Sequence, residues 1–368
     1  MRLPLSELGW RSDSVAAEHT LRLNFESINS LPQGSNEVRL YHDEILDCDR
    51  VGKRFDLTMV EATVLPEAST LQSIRHPNVL EIVSAARVEG YSDPLMQVIE
   101  VITPYYPQGS ITDALLRGER FSGPRAMAIM GNALRGIREL HAGHGILHRD
   151  LKSGNILLTD APIHALIADL GVAGRMDADG FAPAVKNPTL YSPPELFTGG
   201  NLSVASDLYP LGHILRELLG GPFPYGRYSR EQVRESLRAG QNPLTDEDAA
   251  LPVWVPSRLR KIHAKLTATD PKKRYQTARE LGQDLEKVAL ADWREVGPYV
   301  WDLASSELAG RAYRVEATTN PQGFLLSIKK YSGSKLRRPQ GHVDVQVSTL
   351  ADKEAREVFD RANALALS

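Results

Sequence analysis

The sequence predicts an α+β chain in two lobes, strand-rich then helix-rich, with a small sheet-plus-helix unit appended at its C-terminal end. Three observations carry this. Apolar residues alternate in short runs up to about residue 107, recur at helical spacing after Gly109, and alternate again beyond Gly297. With 368 residues, 42% of them hydrophobic, the chain can bury a core without metal or disulfide staples.

Taken in order, residues 1–20 form an N-terminal arm, with a polar stretch from Arg11 to His19. Residues 21–107 form the first lobe. Leu21, Leu23 and Phe25 share one face of a strand, Leu31–Glu37 is turn-rich around Pro32 and Gly34, and a second strand runs Arg50–Leu57. Ala68, Leu71 and Ile74 mark a helix over Ala62–Ile74, which His76-Pro77 stops. Strands are expected at Val79–Ala85 and Leu95–Ile102. Residues 108–293 form the second lobe, with helices at Ile111–Leu116, Ala126–Ala142, Ala205–Leu219, near Lys261 and at Ala278–Leu290. Residues 297–368 form the accessory unit. Its strands contain Tyr313 and Val315, Phe324–Ile328, and Val343, Val345 and Val347, followed by a helix over Leu350–Leu365.

Several function classes are excluded. With 43 basic and 46 acidic residues the formal net charge is −3, which argues against nucleic acid or an anionic membrane as the main partner. The single cysteine, Cys48, excludes an internal disulfide and a cysteine-rich zinc site. No apolar run reaches the length of a membrane span, and Met1–Trp10 lacks the long apolar core of a secretory signal. The expectation is a soluble, cytoplasmic protein.

The strongest chemical signal is His148-Arg149-Asp150-Leu151-Lys152-Ser153-Gly154-Asn155. A positioned Asp, a Lys two residues on and an Asn five residues on suit phosphoryl transfer. Asp150 can accept a hydroxyl proton, Lys152 can neutralise the phosphoryl group and Asn155 can hold a metal ion. Nineteen residues past Asp150, Asp169-Leu170-Gly171 offers a carboxylate in a turn, suited to Mg²⁺ bridging phosphates. His141, His144 and His148 do not read as a metal site, because His148 already belongs to this loop.

This run resembles the catalytic loop of the eukaryotic-like (Hanks-type) serine/threonine protein kinases. Asp169-Leu170-Gly171 is similar to that family's metal motif, Ser192-Pro193-Pro194-Glu195 to the end of its activation segment, and Ser206–Gly212 to the start of its long large-lobe helix. Asp270–Tyr275 is similar to the motif whose Arg pairs with the segment's Glu. The resemblance covers about Leu21 to Trp293. It implies the bilobal kinase fold, transfer of the ATP γ-phosphoryl group to protein Ser or Thr hydroxyls, the cofactors ATP and Mg²⁺, and a buried Glu195–Arg274 pair. It places Lys53 on the ATP phosphates, paired to Glu67, and Gly34 in the phosphate-covering loop. Thr103 falls at the back of the adenine pocket and the Tyr106 backbone at the adenine edge. Asp169 and Asn155 become the metal ligands.

Here the chain also departs from the family. Of the glycine-rich loop pattern only Gly34 remains, with Pro32 and Glu37 at the other places. No Ser, Thr or Tyr lies between Gly171 and Asn187, although Arg149, which the resemblance assigns to an activation-loop phosphate, is present; Asp177 or Asp179 is the candidate stand-in. Pro188 replaces the family's Thr, and Thr189 follows one position later. The expected setting is bacterial signalling, stress or defence. The competing readings are a pseudokinase or nucleotide-binding scaffold, and a kinase-fold enzyme acting on a small molecule. In the accessory unit, Lys329-Lys330 and Lys335–Arg338 flank a turn, which reads as a solvated hairpin tip or a docking surface for an acidic protein or nucleic acid. A docking role is the expectation.

Overall fold

The computed structural model describes residues 25–31, 37–56, 72–90, 97–160, 165–303 and 312–367. The expected N-terminal arm, Leu21 and Leu23, the Gly34 loop and the helix residues Ala68 and Leu71 with Glu67 lie outside the described residues.

The first lobe is an antiparallel sheet of β1 (Phe25–Leu31), β2 (Val38–Asp43), β3 (Cys48–Asp56), β4 (Ser84–Val88) and β5 (Val98–Pro104), in the order β1-β2-β3-β5-β4. Its register sets the site. Lys53 stands opposite Val38 and Val101, and Val51 opposite Thr103, so Lys53 and Thr103 share one face. Arg54 stands opposite Glu100 on the other face, where Arg54 Nε meets Glu100 Oε2 at 3.4 Å and Tyr41 donates to Glu100 Oε1 at 2.5 Å. Gly52 lies beneath that pair; a Cβ there would collide with Glu100 and Tyr41. One expectation fails in detail. Val79–Val83 is not a strand: Val79 makes a single parallel bridge to Ile167, and Leu80 donates to the Ile167 carbonyl at 2.7 Å. These backbone groups pair with the second lobe, so the strand starts only at Ser84.

The second lobe begins with α1 (Ile111–Leu116), whose capping box joins Ser110 and Asp113. Helix α2 (Gly123–Arg138) is capped by Ser122 and runs into a π turn at Glu139–Gly143, which breaks the helix expected to reach Ala142. Short antiparallel pairs follow: β6 (Ile146–Leu147) with β9 (Gly174–Arg175), β7 (Ile156–Leu158) with β8 (Ala165–Ile167), and β10 (Phe181–Pro183) with β11 (Asn201–Ser203). Helix α3 (Val204–Gly220) is buried almost all round, as the central rod of a large lobe must be. Around it lie α4 (Arg230–Arg238), α5 (Asp246–Ala249), α6 (Ser257–Leu266) and α7 (Ala278–Leu285).

The C-terminal sheet starts at Trp293, ahead of the boundary read from alternation. It holds β12 (Trp293–Gly297), β13 (Val300–Leu303), β14 (Tyr313–Asn320), β15 (Gly323–Ser332), β16 (Lys335–Arg337) and β17 (Val345–Val347), and α8 (Lys353–Leu367) packs on it. Trp293 and Trp301 meet Phe359 edge-on, with centroids 5.6 and 5.1 Å away. This core is continuous with that of the large lobe. Asp360 on α8 accepts from Ser257 N at 2.9 Å and Ser257 Oγ at 2.5 Å, and Asn363 bonds the Ala289 carbonyl and the Ala291 amide, each at 3.2 Å.

Candidate active site

The catalytic-loop residues are gathered by one buried carboxylate. Asp207, in the first turn of α3, accepts from His148 N at 2.6 Å and Arg149 N at 2.8 Å, and its Oδ2 lies 2.9 Å from His141 Nε2. The π turn at the end of α2 carries His141 to this position. Burial alone would raise the Asp207 pKa, but His141, His148 and the Arg149 amide outweigh it and hold the group below its ordinary value. His148 Nε2 meets the Ala168 carbonyl at 2.9 Å, which ties the loop to the strand leading into Asp169.

On this scaffold Asp150, Lys152 and Asn155 converge. Lys152 Nζ donates to Asp150 Oδ2 at 2.7 Å. Asn155 Nδ2 donates to the Asp150 carbonyl at 2.8 Å and to Asp150 Oδ2 at 3.3 Å, leaving Oδ1 as the amide's acceptor. Asp169 comes from the following turn, and its φ of 62° puts a non-glycine residue in the left-handed region. Its side chain accepts from the Gly171 amide at 3.4 Å. Gly171 has no room for more, since a Cβ there would sit 2.8 Å from Phe55 Cε1. Lys53 Nζ donates to Asp169 Oδ1 at 2.6 Å across a sequence separation of 116 residues. Burial pushes the Asp169 carboxyl up, and the Lys53 ammonium, with His148 and Lys152 beyond it, brings it below the ordinary range. Lys53 is thus paired with Asp169, and the Glu67 expected to pair with it lies outside the described residues, as does Gly34. Thr103 Oγ1 donates to the Val51 carbonyl at 3.4 Å. The Tyr106 carbonyl closes a turn with Gly109 N at 3.0 Å, and burial raises the pKa of the Tyr106 phenol.

The activation segment is held in an unexpected way. Arg149 Nε, Nη1 and Nη2 donate to the carbonyls of Val172, Pro183 and Ala173 at 2.7, 2.7 and 2.9 Å. Asp177 instead accepts from the amides of Asp179 and Phe181 at 3.0 and 2.9 Å. Its carboxylate shapes a turn, and three of the Arg149 bonds go to backbone carbonyls of the segment. Thr189 is held within its own turn: its hydroxyl lies 3.3 Å from Ser192 Oγ and accepts from Tyr191 N at 3.2 Å. The Glu195–Arg274 pair is bidentate, 2.7 Å at each fork, with the Arg274 side chain fully buried and bonded also to the Ala268, Thr269 and Ala205 carbonyls.

Sequence reasoning missed Glu217. It is fully buried on α3 and accepts from Ser153 Oγ, from Tyr191 OH at 2.5 Å and from Tyr225 OH at 2.6 Å. One carboxylate thereby joins the catalytic loop, the end of the activation segment and the turn after α3. The signal was available: Glu217 lies on the same helical stripe as Ile214 and Leu218, where an acid needs buried partners.

A strand-rich lobe over a helical lobe, with Lys53, Asp150, Asn155 and Asp169 meeting between them, defines a phosphoryl-transfer type of fold. The family described as protein kinase domain matches residues 44–285, and the chain belongs to it. It is 28% identical over 212 residues to serine/threonine-protein kinase 12 of Arabidopsis thaliana, covering 56% of this chain and 42% of that one. It is 27% identical over 269 residues to serine/threonine-protein kinase PrkC of Bacillus subtilis, covering 70% and 39%. It is 26% identical over 289 residues to serine/threonine-protein kinase PknB of Mycobacterium tuberculosis, covering 76% and 45%. The matches thus span less than half the length of these curated relatives. Among the described residues, no helix is long and apolar enough to cross a membrane.

Proposed function

We propose that the chain transfers the γ-phosphoryl group of ATP to Ser or Thr hydroxyls of protein substrates. The observation that carries this is the Lys53–Asp169 contact beside Asp150, Lys152 and Asn155, five side chains from two lobes around one cleft. The donor set suits Mg²⁺, a hard cation that takes oxygen ligands and keeps phosphates in its shell. Asp169 and the Asn155 Oδ1 are the oxygens to hold it. When bound, Mg²⁺ neutralises charge on the phosphates. Lys53 binds phosphate oxygens and orients Asp169. Asp150 accepts the proton of the attacking hydroxyl, and Lys152, already against Asp150, offsets charge on the transferring group. Thr103 and the Tyr106 backbone border the adenine. A Lys53–Glu67 pairing, and a phosphate-covering role for Gly34, remain part of this proposal.

The proposed substrates are proteins, the proposed compartment is the cytoplasm, where ATP is abundant, and the proposed setting is bacterial signalling, stress or defence. Similarity to PrkC and PknB supports the signalling reading. The experiment is transfer of radiolabelled phosphate by purified wild type, Asp150→Ala and Lys53→Met, followed by phosphoamino-acid analysis. Label on Ser or Thr with wild type alone is the expected result. Nucleotide binding with no label in any of the three assigns the chain to the scaffold class.

A further inference from the structure

Two surface features on different units have complementary chemistry. The first is the turn between β2 and β3. Asp43 Oδ1 accepts from the amides of Ile45 and Leu46 at 3.2 and 3.1 Å, and Asp47 closes the turn at a φ of 46°. This geometry holds two aliphatic side chains out in water: Ile45 is 81% exposed and Leu46 62%. Two exposed acids, Glu44 and Asp47, flank them on the tip, while at its base Asp43 is buried under the turn and Asp49 is bonded to His42. A water-facing tip of this kind needs no aliphatic residues for its own folding, and a rigid turn loses little freedom on docking. The acids exclude an anionic membrane as the occupant.

The second feature is the β15–β16 hairpin of the C-terminal sheet. Not all its cations are available: Lys329 is bonded to Glu316, and Arg338 to Asp344. Lys330, Lys335 and Arg337 are exposed and make no ion pair among the described residues. Lys330 stands directly opposite Arg337, a like-charge cross-strand pair that costs the sheet stability. Val343, 70% exposed, adjoins Asp344 and hence the Arg338 contact, so an apolar residue flanks the basic tip. The patch is far smaller than a nucleic-acid footprint on a chain of net charge −3.

We infer that these surfaces meet between two copies of the chain: the acidic Ile45–Leu46 turn of one docks on the Lys330, Lys335 and Arg337 hairpin of the other. Carboxylates face cations that have no ion pair among the described residues, and Ile45 and Leu46 cover Val343. The occupant of the hairpin is therefore an acidic protein segment that the chain itself supplies. Two hairpin tips bury less than the roughly 1,000 Å² of a stable interface, so the contact is weak and charge-steered. It forms at tens of micromolar or above and is screened as salt approaches 0.5 M. The inference is independent of phosphoryl transfer.

Sedimentation velocity of the full chain tests it, using two doubly reversed variants. The first carries Glu44→Lys and Asp47→Lys, the second Lys335→Glu and Arg337→Glu. All four residues are exposed, and thermal melts verify that both variants fold. Wild type at about 100 μM is expected to associate in 50 mM salt and to dissociate in 500 mM salt. Each variant alone carries like charges on both surfaces and is expected to stay monomeric. Their mixture restores opposite charges at both contacts and is expected to associate again. A wild type monomeric in low salt overturns the inference. So does association that survives in both variants, or a mixture of folded variants that does not associate.

Discussion

Asp169 carries the most concentrated chemistry of any single residue. Its left-handed backbone, its bond to Lys53 and its lowered pKa keep a charged carboxylate facing the cleft. Asp169→Asn keeps the shape and removes the charge. The expected outcome is loss of Mg²⁺-dependent turnover by at least about 100-fold with an unchanged melting temperature, read by an ATPase assay and calorimetry. Arg274 behaves in the opposite manner, as a residue of stability. Its guanidinium is fully buried against Glu195, so Arg274→Met leaves that largely buried carboxylate without its partner. Denaturant unfolding is expected to show a loss of about 3–5 kcal/mol. His213 adds a pH dependence. Neither ring nitrogen finds a hydrogen bond, and burial, with His263, Arg216 and Arg274 adding to it, pulls its pKa down to about 3. Burial likewise pulls His263 to about 4, helped by Arg260 and Arg216. Both rings fold neutral, so the unfolded chain binds protons that the folded one does not. Stability is full above pH of about 6.5 and falls as pH drops from there toward 4. Unfolding curves at pH 7.5 and 5.5 are expected to differ more for wild type than for His213→Leu; equal differences contradict the assignment.

The informative element is the activation segment, fastened at three places. β6 pairs with β9, β10 pairs with β11, and Arg149 spans the interval through three carbonyls. With no hydroxyl between Gly171 and Asn187, this fastening stands where a phosphate contact is expected. Phosphatase treatment is expected to leave turnover within about twofold of the untreated chain. Gly174→Ala pushes a methyl group into the Arg149 guanidinium and is expected to lower turnover about tenfold. A large loss with phosphatase would move the switch to Thr189, Tyr191, Ser192 or a distant site. Much here was legible in advance. Asp150, Lys152, Asn155 and Asp169 stood out because short motifs keep fixed spacing. The helices Ile111–Leu116 and Val204–Gly220 showed because their apolar residues are dense and uninterrupted by strand-like alternation. What was hidden depends on tertiary partners. A sequence does not show that Arg149 will give three bonds to backbone carbonyls, that Val79 and Leu80 will pair with the other lobe, or that Thr189 will turn to Ser192. Short strands such as β13 and β16 hold three or four residues, too few for a period to register.

Across the whole molecule, the C-terminal unit continues the large lobe's core. Gly123 at the start of α2 lies so close to the Ala291 carbonyl that a Cβ would sit 2.8 Å from it, and Leu290, Trp293 and Phe359 belong to the same buried cluster. A chain ending at residue 292 would uncover the side of α6 against which α8 packs and leave the Ala291 amide without Asn363. It is expected to aggregate or melt well below the full chain, unlike a dispensable tail. Asp360→Ala tests the same junction mildly, with an expected loss of about 1–2 kcal/mol from the two Ser257 bonds. The two lobes above that junction meet through Lys53 and Asp169, and the cleft between them is where the proposed chemistry lies. The most direct test of it is the single-turnover rate of phosphoryl transfer to a protein substrate at saturating Mg²⁺-ATP, wild type beside Asp150→Ala. The account predicts transfer by wild type and a rate at least about 100-fold lower in the variant, with nucleotide affinity unchanged. Equal rates in the two proteins, or no transfer by a wild type that binds nucleotide, would contradict it.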